Sequence, residues 1–175
     1  MNKQIIITNG SGTSGKDSFA ECINEIIPSF VYKYSSIDLV KRASEILGWN
    51  GGKTEKDRKF LSDMKVLATQ YNDSPFNDIK AIVKDFNENK IDTEILMIDI
   101  REPEEIARAV KEFNAISVLI KRNNIKKITS NMADANVENY NYDYIINNDG
   151  TLEDLKTKAI IFIQELEELN NGNVK

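Results

Sequence analysis

The chain reads as an α/β protein built on a parallel sheet with helices on both faces. Three observations predict this class. Short, continuous apolar runs alternate with amphipathic ones, the first apolar run ends in a glycine-rich loop that opens a helix, and the composition is that of an ordinary folded domain. Its 175 residues are 41% hydrophobic and 29% charged, which argues against disorder and fibrous repeats and suits one domain over 1–175.

The first strand is Gln4 to Thr8, apolar throughout as a strand covered on both faces should be. The loop Asn9 to Gly15 opens a helix from Lys16 to Ile27 that Pro28 stops. Phe30 to Tyr34 reads as the second strand. Ser36 is the expected N-cap of a helix whose apolar face is Leu39, Val40, Ala43, Ile46 and Leu47, ended by Gly48. After a glycine-rich break, Thr54 and Asp57 stand close to a capping box, and Phe60, Leu61, Met64, Leu67, Ala68 and Tyr71 form a helical stripe. Ser74-Pro75 starts another helix carrying Phe76, Ile79, Ile82, Val83 and Phe86, so an all-helical insertion separates strands two and three. Thr93 to Ile100 is the third strand, Pro103 to Phe113 a helix, and Ala115 to Ile120 the fourth strand. The stretch 121–142 is polar and asparagine-rich, which makes it a lid candidate. Tyr144 to Ile146 is a fifth strand, Asn147 to Gly150 a turn, and Leu152 to Leu169 a closing amphipathic helix.

Charge and residue usage narrow the chemistry. A net charge of −5 argues against nucleic acid as a partner, because affinity for a phosphate backbone is mostly a summed positive field. One cysteine, Cys22, excludes a disulfide framework, and the absence of histidine removes the commonest general base and zinc ligand. Apolar runs such as Ala159 to Ile163 fall far short of a membrane span, and the N-terminus lacks a secretory pattern, so the expected location is the cytoplasm.

Gly10-Ser11-Gly12-Thr13-Ser14-Gly15-Lys16 fits G-x-x-x-x-G-K. Glycines let the backbone curl so that several N–H groups face a phosphate, and the helix opening at Lys16 adds its positive end. The motif lies between an apolar strand and a helix, the context in which it binds nucleotide phosphates. Where serine or threonine usually follows the lysine and ligates magnesium, this chain has Asp17 and then Ser18. Asp17 would hold Mg²⁺ directly or through water; the alternative is an acidic first-turn residue stabilised by the dipole.

Ser14-Gly15-Lys16-Asp17 resembles the phosphate loop of viral-type deoxynucleoside monophosphate kinases and animal-type phosphomevalonate kinases, two branches of the nucleoside monophosphate kinase-like fold. Asp99-Ile100-Arg101 resembles the family's Asp-x-Arg, and Tyr142 to Leu152 resembles its final strand and turn. The resemblance implies a three-layer α/β/α P-loop NTPase fold with five parallel strands, a helical acceptor-binding region over 35–90 and a lid over 121–142. It implies ATP and Mg²⁺ as cofactors. Arg122 would begin the lid and flank adenine, supplemented by Lys121, Lys126 and Lys127, while Asn147 to Thr151, Gly150 included, would lie against the base. The lid departs from adenylate kinases in that Asn123 to Tyr142 contains no arginine.

In open parallel sheets ligands sit beyond the carboxyl ends of the strands, which independently selects Ser35, Ser36, Asp99, Arg101 and the segment after Ile120. Arg101, one of five arginines, either grips a phosphate bidentately or pairs with Glu104 or Glu105. Asp99 either holds a magnesium-bound water or caps the next helix. Lys16, Arg101 and Asp99 are the catalytic candidates, and Ser36, Asp38, Lys41, Arg42, Arg58 and Arg101 the acceptor-side candidates. The expected reaction is transfer of a γ-phosphoryl group to a small phosphorylated metabolite, a nucleoside or deoxynucleoside monophosphate, by a monomer or homodimer. Alternatives are phosphomevalonate, an alcohol acceptor as in dephospho-coenzyme A kinase, and a nucleotide-binding regulator without catalysis.

Overall fold

The computed structural model describes residues 3–27, 31–88, 94–123 and 136–172, and among them are five strands and six helices. The strands are β1 (Gln4–Asn9), β2 (Val31–Ser35), β3 (Ile95–Asp99), β4 (Ile116–Lys121) and β5 (Tyr144–Asn147). The helices are α1 (Lys16–Ile26), α2 (Asp38–Ile46), α3 (Glu55–Asn72), α4 (Ser74–Glu88), α5 (Pro103–Phe113) and α6 (Leu152–Gly172). The sheet runs in the order β2-β3-β1-β4-β5, and β1 pairs in parallel with both β3 and β4. Short apolar strands give way to helices because a parallel neighbour can be reached only by a crossover, and the crossover covers the sheet face.

The chain divides into two compact units, one of residues 1–33 with 90–175 and one of residues 34–89. In the first, pleat alternation sends Ile6, Ile95, Met97, Val118 and Ile120 into one core with Phe19 and Ile23 of α1 and Phe162, Ile163 and Leu166 of α6. Phe162 is the hub, 5.7 Å from the Phe19 ring and edge-on to Tyr144 at 5.0 Å. Helix α5 packs on β1 and β4 through Ile106 and Ala109, which are fully buried, and completes the α/β/α layering.

The second unit packs α2, α3 and α4 together. Thr54 and Asp57 form the capping box that starts α3: Asp57 N donates to Thr54 Oγ1 at 3.3 Å and Thr54 N to Asp57 Oδ2 at 2.9 Å. Of the α4 face read from sequence, Phe76, Ile79, Val83 and Phe86 are buried and Ile82 is half-buried.

Two readings need correction. Ser36 does not cap α2: Ile37 occupies that position without a side-chain bond, and the Ser36 hydroxyl instead accepts from the Lys65 ammonium at 3.0 Å. The apolar stripes of α2 and α3 are narrower than expected. Val40 and Ser44 are the buried residues of α2 and Leu61 and Lys65 those of α3, while Ile46 and Tyr71 are each 87% exposed. These two helices each bury a ridge at i, i+4 spacing rather than a broad face. The expected lid falls largely on 124–135, outside the described residues; at its end Val137 and Tyr142 are buried.

Candidate functional site

β1 is the middle strand, so the loop leaving its carboxyl end is flanked by the ends of β3 and β4. The parallel register places Thr8 beside Asp99 and Asn9 beside Leu119. The topology thus brings Gly10 to Lys16, Asp99, Arg101 and the residues after Ile120 to one edge.

The loop curls as its glycines predict. Ser14 N donates to Ser11 O at 3.1 Å, and Thr13 and Gly15 both take left-handed backbone, with φ of 65° and 97°. Gly10 has no room for a Cβ, which would collide with the Ile120 carbonyl oxygen and Ser14 Oγ. Helix α1 begins at Gly15 with no side-chain cap, and the first-turn N–H groups of any helix lack intrahelical acceptors. Amides and dipole therefore converge on one concave turn. The Lys16 ammonium folds back to donate to Gly10 O at 2.7 Å, above the turn. Ser14 Oγ is buried without a hydrogen-bond partner among the described residues, an acceptor and donor left for what enters the loop.

Asp17 is on the exposed side of the first turn, where its carboxylate pairs with Lys33. Ser18 is half-buried in the same turn. Asp99 accepts the Thr8 hydroxyl, so the end of β3 is tied to the end of β1. Among the described residues no three carboxylate or thiol groups gather as a metal cage. Separate carboxylates fit magnesium all the same, since that ion takes one or two protein oxygens and completes its shell with phosphates and water.

On the β4 side a cavity of about 90 Å³ opens between Ser11 and the strand's exit, lined also by Ile120, Lys121, Arg122, Asn123, Val137 and Glu138. Lys121 pairs with Glu138 at 2.8 Å across it. Asp149 holds the neighbouring turn by accepting from Asn123 N at 2.6 Å and Asn123 Nδ2 at 2.7 Å; the backbone bond above all lowers its carboxyl below the usual range. Gly150 precedes a second capping box, Thr151 with Asp154, and packs its Cα against the Asp154 carboxylate. Asn148, expected only as part of the turn against the base, donates its buried amide to Ser14 O at 2.8 Å and its N–H to Lys121 O at 2.7 Å. One side chain thus ties the β5 turn to the phosphate loop; its only signal was an asparagine beside a predicted strand end.

The acceptor-side candidates lie in the helical unit, except Arg101. Asp38 reaches back to accept from Ser35 N at 2.9 Å and pairs with Lys41 at 2.8 Å. Arg42 pairs with Asp78 at 2.9 Å, and Asp78 also accepts the Tyr34 hydroxyl; burial pushes this carboxyl up. Arg58 donates to Lys53 O at 3.2 Å and bonds its own glycine-rich turn. Lys65, outside the apolar stripe expected of α3, is a buried cation that donates to Ser36.

No protein-family model matches the chain, and no curated protein does. Solved structures match along nearly its whole length. A gluconokinase from Sinorhizobium meliloti 1021 has a TM-score of 0.54 at 12% identity, covering 99% of this chain and 98% of that one. The shikimate kinase of Aquifex aeolicus vf5 has a TM-score of 0.51 at 11% identity, covering 92% and 96%. The chain therefore shares its three-layer α/β/α fold with these two kinases.

Proposed function

We propose that the protein is an ATP-dependent phosphotransferase acting on a small phosphorylated metabolite, a nucleoside or deoxynucleoside monophosphate. The observation that carries this reading is the Gly10–Lys16 turn: an amide-lined curl at a helix N-terminus, its lysine folded over it, at the carboxyl end of the middle strand.

Lys16 and the loop amides would hold the β- and γ-phosphates, and Arg122 with the cavity beside Ser11 would take the nucleoside end. Asp17 and Asp99 would hold Mg²⁺, directly or through water, which supplies charge neutralisation between the phosphates when bound. Arg101 would orient the acceptor phosphate as a bidentate cation, and acceptor selection is assigned to the helical unit, through Ser36, Asp38, Lys41, Arg42 and Arg58. An acceptor phosphate is already ionised at neutral pH, so no general base is required and a chain without histidine loses nothing.

A hydroxyl acceptor is the second reading. It is favoured by Asp99, whose carboxylate already accepts a hydroxyl, that of Thr8, as a base for an alcohol would. The gluconokinase and the shikimate kinase are named for hydroxy acids rather than nucleotides.

One ADP-release screen with Mg-ATP tests both. Turnover with nucleoside monophosphates or phosphomevalonate supports the first reading, and turnover only with dephospho-coenzyme A or hydroxy acids the second. ATP binding without turnover on any acceptor would leave a nucleotide sensor. Lys16→Ala should abolish ATP binding in calorimetry, and wild-type affinity in that variant would refute the phosphate assignment.

A further inference from the structure

Asn9 is a fully buried polar residue at the end of β1, and its side chain joins three elements. Nδ2 donates to the Tyr142 hydroxyl at 2.7 Å and to the Arg101 main-chain oxygen at 3.2 Å, while Oδ1 accepts from Gly10 N at 2.7 Å. The Tyr142 hydroxyl donates onward to Val137 O at 2.7 Å. The amide has one possible orientation. Arg101 O can only accept and Gly10 N–H can only donate, so the tyrosine, already spending its proton on Val137, must receive one from Asn9.

The Gly10 peptides are then gripped on both sides, the N–H by Asn9 and the carbonyl by the Lys16 ammonium at 2.7 Å. Gly10 also has no room for a side chain, because Ile120 O and Ser14 Oγ occupy the space a Cβ would need. We propose that Asn9 and Tyr142 are a positioning pair that fixes the Gly10 peptide, and through it the Lys16 ammonium, for nucleotide phosphates; this rests on the phosphate-loop reading above. The pair also dictates which amides face the ligand. With Gly10 N–H turned to Asn9, the cradle starts at residue 11. Burial pushes the Tyr142 hydroxyl up to about 12, so it keeps its proton, and the direction of both bonds, over the whole working range.

Neither residue belongs to the glycine-and-lysine pattern, and neither needs to touch ligand. Their effect is one of placement, where a misplacement of about 1 Å costs on the order of a hundredfold. Two measurements on the full chain test it: hydrogen exchange at the Gly10 amide without nucleotide, and calorimetric titration with Mg-ATP. Tyr142→Phe removes a single oxygen and should fold. It should speed exchange at Gly10 and weaken ATP binding about tenfold, with Asn9→Ala at up to about a hundredfold. The double variant should bind no worse than Asn9→Ala, since both substitutions cut one path. Unchanged Gly10 exchange in Tyr142→Phe, or additive losses that track the melting temperature, would overturn the proposal. If the wild type binds no ATP while Gly10 exchange still responds to Tyr142→Phe, the pair positions the loop as inferred and the kinase reading is what falls.

Discussion

Gly15 opens α1 at a φ of 97°, and a Cβ there would strike the Asn148 amide that clamps Ser14 O. Left-handed backbone alone costs a residue with a Cβ about 1–2 kcal/mol, and the collision adds to it. Gly15→Ala should therefore lower the melting temperature by several degrees and loosen ATP binding, read by calorimetry. Measured against Asn148→Gly alone, which itself loses the bond to Ser14 O, adding Gly15→Ala should cost only the backbone part; no added cost would show that the φ carries no strain. Arg101 poses a different question, because Asn9 already holds its main chain and what remains to test is the guanidinium. Arg101→Ala should lower kcat or raise the acceptor's KM by about tenfold to a thousandfold, or roughly 1.4–4 kcal/mol. Unchanged kinetics would make it a structural residue.

At the scale of elements, the Thr54–Asp57 box is the clearest local signal to survive folding. Thr54→Ala removes the acceptor for Asp57 N and should cost about 1 kcal/mol in thermal or urea unfolding, with the loss centred on α3. The strands were legible as short, continuous apolar runs, and the helices α1, α5 and α6 as patterned runs whose partner face is the sheet. Helix α5 starts at Pro103 and ends at Phe113 as read, since proline at its first position and Asn114 in left-handed backbone mark both ends. Helix α2 was legible as a helix but not in its face. Its sequence offers Ile46 and Leu47 as core, yet only neighbouring helices decide which residues are covered, and they cover Val40 and Ser44. The same limit applies to the site. The phosphate loop is contiguous in sequence and could be read, whereas Asn9, Tyr142 and Asn148 act across separations of about 90 residues or more, where no local pattern points to a partner.

For the molecule as a whole, the charge pattern makes a prediction about acid. Asp57, Asp149 and Asp154 all titrate below the ordinary carboxylate value, Asp57 through the Thr54 hydroxyl, Asp149 and Asp154 through the backbone N–H groups of Asn123 and Thr151. For each, the unfolded chain holds a proton more tightly than the native one. Their contribution is therefore complete above the unfolded value of about 4 and is lost as pH falls through the lower folded values. Asp78 runs the other way: burial raises its carboxyl, so the charged form is disfavoured in the fold and protonation below about 4 costs nothing there. Asp57 lies in the helical unit and the other two in the sheet unit, so both should weaken over the same acid window. No histidine exists to titrate between, and burial lifts Cys22 and Tyr142 away from neutrality. Scanning calorimetry should give a melting temperature nearly constant from about pH 5 to 8 and falling below about pH 4. A step near pH 6 to 7 instead would require a displaced carboxylate among the groups assigned here to binding, and would send the search for a general base, and with it the hydroxyl-acceptor reading, back to Asp99 and Asp38.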